Sequence, residues 1–119
     1  MEMKDAQAEV AAFAAERGWD QNLPTQRGAH LMREVGRMCE HTMFIEGMTT
    51  KQPTFDAEKQ VGDIMFSLLQ LANRMGVDAE AALAKAMKAD RAKYPAEETR
   101  RQSIEALKKA SDKFRLNPY

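Results

Sequence analysis

The sequence predicts an all-α protein, and two of its features lead to this prediction. Its 119 residues are rich in Ala and Met, which favour helices, and poor in aromatic residues. Few stretches show the apolar–polar alternation with a period of two that marks a half-buried strand. A chain of this length suits one domain, so we expect one helical bundle of four to five helices over residues 1–119. Its core would lie in about residues 5–95, with a peripheral helix or tail in residues 96–119.

Apolar residues at helical spacing predict the first two helices, from about Asp5 to Arg17 and from about Thr25 to Ile45. Gly18 suits the end of the first helix. Pro24 suits the start of the second, because the missing N–H of proline is not needed there. The segment between the two helices, residues 19–24, is predicted as a loop.

Three further helices are predicted in the rest of the chain. The third, from about Thr54 to Met75, is the most apolar. Asp78 caps the fourth, which runs from about Ala79 to Lys93 and ends before Pro95. The fifth runs from Ala96 to about Arg115 and has few apolar positions. On the third helix, an apolar side of Val61, Ile64, Leu68, Leu71 and Met75 lies beside a narrow polar ridge of Gln60, Asp63, Ser67, Gln70 and Arg74.

The second and third helices carry more apolar surface than the other helices of so short a chain would cover. A second copy of the chain would cover the excess. We therefore expect self-association as a homodimer or, as a dimer of dimers, a tetramer.

Charge and composition argue against several other classes of protein. The formal net charge is zero at pH 7, so we expect no nucleic-acid binding. Residues 1–84 carry 8 basic and 13 acidic side chains, and residues 85–119 carry 10 basic and 5 acidic ones. The single cysteine, Cys39, excludes an intrachain disulfide and a Cys-based zinc site. No signal peptide and no apolar run of membrane length are found, so we expect no membrane partner and a cytoplasmic location.

Two short segments concentrate the chemistry: Glu34-Val-Gly-Arg37 and Gln60-Val-Gly-Asp63. The first and last residues of each segment are three positions apart, so they lie on one face of their helix. Four acidic residues at these positions would offer Mg²⁺ a cage of carboxylates. Here Arg37 reverses one of the charges and Gln60 removes another.

In their order and spacing, these segments resemble the MazG-like and dCTP-pyrophosphatase-like branch of the all-α NTP pyrophosphohydrolases. The resemblance covers about residues 10–96 and includes Phe13-Ala-Ala-Glu-Arg-Gly-Trp19 and Arg91-x-Lys93-Tyr94-Pro95. It implies Mg²⁺-dependent cleavage of a nucleoside triphosphate to a monophosphate and pyrophosphate. The family's metal ligands form Glu-x-x-Glu on one helix and Glu-x-x-Asp on the next. Glu34 matches the first of these positions and Asp63 the last.

The same resemblance implies a set of substrate contacts. Trp19 would contact the base, although a loop anchor is an equally good interpretation of this residue. The family usually has Asn where Asp90 stands, near phosphate or metal, so Asp90 is a further candidate ligand beside Glu34 and Asp63. The full set of implied substrate-binding residues is Trp19, Asp90, Arg91, Lys93 and Tyr94. The basic members also suit a solvated helix surface.

The two replaced positions argue against tight Mg²⁺ binding. Arg37 can hydrogen-bond both Glu34 and Asp63 and fill the volume of the metal. It also repels Mg²⁺ by on the order of a few kcal/mol at an effective dielectric near 20. His30, Glu34, His41 and Asp63 have the chemistry for a transition metal. However, the two histidines lie about 16 Å apart along a helix, which favours a polar seam instead.

These observations predict a nucleotide-binding protein on a pyrophosphohydrolase scaffold, with impaired or absent hydrolysis. If the chain is active, Mg²⁺ is the expected cofactor and Glu34 and Asp63 are the expected catalytic ligands. The alternative is a non-enzymatic oligomerisation or regulatory module that retains only the bundle.

Overall fold

The computed structural model describes residues 1–54 and 56–113, which contain five α-helices. These helices are α1 (Met3–Glu16), α2 (Pro24–Ile45), α3 (Ala57–Met75), α4 (Ala79–Lys93) and α5 (Ala96–Lys113). A short 3-10 turn at Trp19–Gln21 follows α1. The described residues contain no strand, so the all-α prediction is confirmed. The predicted end of the fifth helix at Arg115 lies outside the described residues.

Local signals in the sequence set most helix ends. Gly18 and Gly76 have φ values of 72° and 69° after α1 and α3, a left-handed conformation that glycine adopts without a steric cost. Asp78 caps α4 by accepting a hydrogen bond from the Ala81 N–H at 3.2 Å. The start of α3 was predicted three residues too early. The Asp56 side chain accepts from the Glu58 N–H at 2.9 Å, and this cap begins the helix at Ala57.

Helices α2 and α3 form an antiparallel pair at the centre of the fold. Contacts between Glu34 and Gln60 at one level and between Arg27 and Gln70 at another fix their direction. Helix α1 packs on α3, with the rings of Phe13 and Phe66 edge to face at 5.6 Å.

Helix α4 joins this group through its N-terminal end. Gln7 on α1 donates to the Val77 carbonyl at 2.7 Å and accepts from the Ala79 N–H at 2.9 Å. Beyond this point, residues 80–98 are exposed throughout, and so are most described residues of α5. The radius of gyration is 18.1 Å, against roughly 13.5 Å for a compact domain of this length. Helices α4 and α5 therefore form an arm with little cover from their own chain.

The interior of the single chain is unusually polar. Its buried residues include four polar ones, three of which belong to the polar ridge of α3: Glu34, Gln60, Ser67 and Gln70. The apolar side of α3 is largely exposed to solvent. Leu68 is 51% exposed, and Val61, Met65 and Met75 are exposed as well. Exposed apolar faces of this kind normally mark an interaction surface. In the described part of the chain, no helix has both the length and the apolar character that crossing a membrane requires.

Candidate functional site

Two of the four motif positions meet in a buried contact between α2 and α3. Glu34 is 6% exposed and Gln60 is 2% exposed. The Gln60 Nε2 donates to Glu34 Oε2 at 2.6 Å and to the Glu34 backbone carbonyl at 2.9 Å. His30 Nε2 lies 3.6 Å from the other carboxylate oxygen, Glu34 Oε1. The buried carboxylate therefore has a neutral amide donor on one side and an imidazole on the other.

The other two motif positions lie nearer the surface. The Asp63 side chain is 40% exposed and accepts from Lys59 Nζ, one turn earlier on α3, at 3.0 and 3.2 Å. Arg37 is exposed and, with Glu40 and Met43, lines a groove of about 310 Å³ against residues 49–54. The structure thus places Gln60 and His30 beside the Glu34 carboxylate and Lys59 beside the Asp63 carboxylate. A guanidinium bridge from Arg37 between them stays a prediction.

This donor set does not fit a Mg²⁺ cage. Within residues 1–54 and 56–113, no three His, Cys, Asp or Glu side chains lie close enough together to hold a metal ion. Mg²⁺ requires oxygen ligands in near-octahedral geometry. At the Gln60 position, the group that faces Glu34 is an N–H donor. In addition, the Asp63 carboxylate already forms an ion pair with the ammonium group of Lys59.

A second feature of the site is a cavity of about 350 Å³ beside Trp19. Trp19 is 41% exposed and packs edge-on against Phe13, with their ring centroids 5.8 Å apart. The cavity lies where α1, the 3-10 turn, the start of α2 and the end of α3 converge. Its polar lining consists of Asp20, Arg27, Gln70, Asn73 and Arg74. The predicted base-contacting residue is therefore beside a hollow large enough for a planar ligand.

Arg27 and Gln70 were not predicted as site residues. They form a contact across α2 and α3, in which Arg27 Nη1 donates to Gln70 Oε1 at 3.0 Å. The available signal was the polar ridge on the most apolar helix of the chain. The structure buries Gln70 on this ridge, and polar residues at buried positions usually have a partner or a ligand.

The residues near the end of α4 stand apart from these contacts. Asp90, Arg91, Lys93 and Tyr94 are all exposed, and Lys93 Nζ lies 5.4 Å from the centre of the Tyr94 ring. Among the described residues, no hydrogen bond or ion pair joins them to Glu34 or Asp63. Their predicted phosphate contacts stay predictions.

The five helices and the facing α2–α3 motif positions define an all-α protein with a pyrophosphatase-like fold. A solved structure that the chain matches is that of the candidate pyrophosphatase YPJD from Bacillus subtilis. The TM-score is 0.66 and the sequence identity 29%, over 73% of this chain and 90% of that chain. No family model matches this chain, and no curated protein sequence matches it. The predicted MazG-type helical bundle is confirmed as the fold.

Proposed function

We propose that this chain is a MazG-like protein that binds a nucleotide beside Trp19 and has impaired or absent Mg²⁺-dependent NTP hydrolysis. The observation that carries this proposal is the 2.6 Å hydrogen bond from the Gln60 amide to the buried Glu34 carboxylate. An amide nitrogen bonded to this carboxylate takes an acceptor oxygen that a metal ion would otherwise use. Because Gln60 carries no charge, the pair lacks the repulsion that two facing carboxylates would have without a cation. We derive no hydrolytic step from this arrangement.

Binding of a nucleotide is supported by the placement of the cavity relative to the acidic pair. Arg27 at the cavity and Glu34 are seven residues apart on α2, or about 10 Å along the helix axis. This separation suits the distance between the base and the outer phosphates of one nucleotide. The Trp19 ring would stack on the base, a contact that accepts every base. Arg91 and Lys93 are the proposed phosphate contacts, although their approach to this site is an expectation.

Self-association as a homodimer or tetramer belongs to the same proposal. The accessible surface is 9579 Å², whereas a compact monomer of 13.4 kDa would expose about 6,500 Å². An excess of about 3,000 Å² per chain, or about 6,000 Å² for a pair of chains, lies at the upper end of what obligate interfaces bury. The exposed apolar side of α3 and the uncovered arm of α4 and α5 are the surfaces that this association would bury. The cytoplasm remains the proposed location.

A nucleotide panel separates this proposal from its alternatives. Thermal stabilisation and pyrophosphate release are measured with NTPs and dNTPs, each with Mg²⁺, with Mn²⁺ and with a chelator. A nucleotide-binding protein with a degenerate metal site shows stabilisation without turnover. Turnover at the rate of an efficient enzyme would refute the degenerate site, and a response to no nucleotide would favour the regulatory module.

A variant pair locates the binding site. Trp19→Ala should abolish the stabilisation, because the stacking surface is removed. The matched control is Met32→Ala, which truncates an exposed apolar side chain on α2 that does not line the cavity. Equal loss in both variants would mean that the effect comes from the fold and not from the cavity.

A further inference from the structure

The contact between Arg27 and Gln70 fixes the orientation of a buried amide beside the Trp19 cavity. Gln70 is 4% exposed, and its Oε1 accepts from Arg27 Nη1 at 3.0 Å. A guanidinium group has donors and no acceptor, so the amide oxygen must face it. The Gln70 NH₂ group is consequently directed away from Arg27. Both residues line the cavity together with Trp19.

This arrangement leaves two hydrogen-bond donors without an acceptor. Gln70 Nε2 and Arg27 Nε are buried, and neither has a hydrogen-bond partner among the described residues. Buried donors in native proteins are almost always paired, so an unpaired couple beside a hollow indicates a missing acceptor. The one carboxylate of the lining, Asp20, accepts from Gln21 Nε2 at 3.0 Å. The acceptors for Gln70 and Arg27 are therefore most simply supplied by a ligand.

We propose that Arg27 and Gln70 make the cavity selective for nucleobases with a carbonyl oxygen at purine C6 or pyrimidine C4, which are guanine, uracil and thymine. This inference rests on the proposed function, in which Trp19 stacks on the base. The exposed edges of guanine, uracil and thymine present carbonyl oxygens as acceptors. Adenine and cytosine carry an amino group in place of this carbonyl, and the amino group meets a donor in the cavity. Glutamine binds adenine well only when its oxygen and its NH₂ group are both available, and here the oxygen is bound to Arg27.

The test measures affinity by calorimetry for GTP, UTP, ATP and CTP in the presence of a chelator, which excludes metal binding and turnover. We expect GTP and UTP to bind at least about tenfold more tightly than ATP and CTP, the difference of one well-placed hydrogen bond to the base. Inorganic triphosphate, as a probe for phosphate alone, should bind more weakly than GTP.

Two substitutions at one position identify the groups that select the base. Gln70→Leu removes the donor and should bring the four affinities within about threefold of one another. Gln70→Glu keeps an oxygen for Arg27 and replaces the NH₂ donor with an acceptor, so the preference should shift toward ATP and CTP. The control is Gln102→Glu, the same chemical change on exposed α5, and it should leave the order of affinities unchanged.

The failures of the two proposals are distinguishable. Equal affinity for all four nucleotides, with loss of binding in Trp19→Ala, would overturn base selection and leave nucleotide binding intact. Triphosphate binding as tight as that of GTP would show that the cavity holds phosphate and would also overturn base selection. Binding of no nucleotide would overturn both proposals.

Discussion

Replacing Gln60 by glutamate tests directly whether an amide has taken the place of a metal ligand. Gln60 donates two hydrogen bonds to Glu34, one to its carboxylate at 2.6 Å and one to its backbone carbonyl at 2.9 Å. Gln60→Glu removes both donors and places a second carboxylate against a buried one. The change keeps the size of the side chain, so its effect comes from charge and hydrogen bonding.

The expected destabilisation follows from the contact distance. Two unit charges about 3 Å apart repel by about 5 kcal/mol at an effective dielectric near 20. Movement of the side chains and proton uptake reduce this, and an uncompensated buried charge typically costs about 3–5 kcal/mol. For a chain of this size, one kcal/mol corresponds to about 4 °C in melting temperature. We therefore expect the melting temperature of Gln60→Glu to fall by about 12–20 °C in a chelator.

Divalent ions should reverse much of this loss, because they neutralise the repelling carboxylates. An ion present at a hundredfold its dissociation constant stabilises the fold by about 2.7 kcal/mol, or about 10 °C here. The double variant Gln60→Glu with Arg37→Glu has acidic residues at all four motif positions. Its melting temperature should rise at lower Mg²⁺ concentrations than that of Gln60→Glu alone. The assay is a thermal-shift titration with Mg²⁺ and Mn²⁺, with pyrophosphate release measured in parallel.

A control and two outcomes decide the interpretation. Gln60→Leu also loses the amide, adds no charge, and should be destabilised without any response to Mg²⁺. If the parent protein gains as much stability from Mg²⁺ as the double variant does, the Gln60–Glu34 contact does not block metal binding. If the double variant ignores divalent ions, the assignment of these four positions as a former metal cage is wrong.

Three smaller predictions concern assembly and stability. Leu68→Lys places a charge on the exposed apolar side of α3 and should convert the proposed homodimer or tetramer to monomers in light scattering. An unchanged mass would exclude this face as the interface. Asp78→Ala removes the cap of α4 and should lower the melting temperature by about 4 °C, for a loss of about 1 kcal/mol. Lys59→Met should change it by less than about 2 °C, because an exposed pair such as Lys59–Asp63 contributes little. A larger fall would show that Asp63 needs its cation.

The helices could be predicted because their signals are local. Gly18 and Gly76 end two helices because each adopts a left-handed backbone conformation. Asp78 begins α4 through a hydrogen bond within the first turn. The start of α3 was missed because Asp56 and Thr54 are both plausible caps in a sequence. Only the geometry shows that the Asp56 carboxylate accepts the Glu58 N–H.

The burial of α3 could not be predicted from periodicity. Periodicity separates an apolar side from a polar ridge but does not tell which side faces α2. In the structure Gln60, Ser67 and Gln70 face the interior, whereas Leu68 is exposed. Under the proposed self-association the apolar side would contact a second copy, whose surface a single sequence does not specify.

In the candidate site too, part of the arrangement was predictable from the sequence and part was not. Spacing places the two residues of each motif on one face of their helix, and the resemblance implied that the two faces meet, as Glu34 and Gln60 do. It described Gln60 as a lost charge, whereas the structure shows it as a gained donor. Spacing also placed Arg37 on the Glu34 face. A long arginine side chain on an exposed helix position has many rotamers, and here it lines the groove beside residues 49–54.

The proposed loss of hydrolysis would be compatible with retention of the fold because of what a buried carboxylate requires. Glu34 must have a partner in the interior, since an unpaired buried charge would destabilise the helix pair. In a metal-dependent enzyme the ion is such a partner, and its removal leaves the carboxylates in mutual repulsion. The Gln60 amide supplies a neutral partner from within the chain, so Glu34 has a hydrogen-bond donor at the α2–α3 contact without an ion. The Trp19 cavity uses a different level of the same helix pair, at Arg27 and Gln70, and its lining includes neither Glu34 nor Gln60.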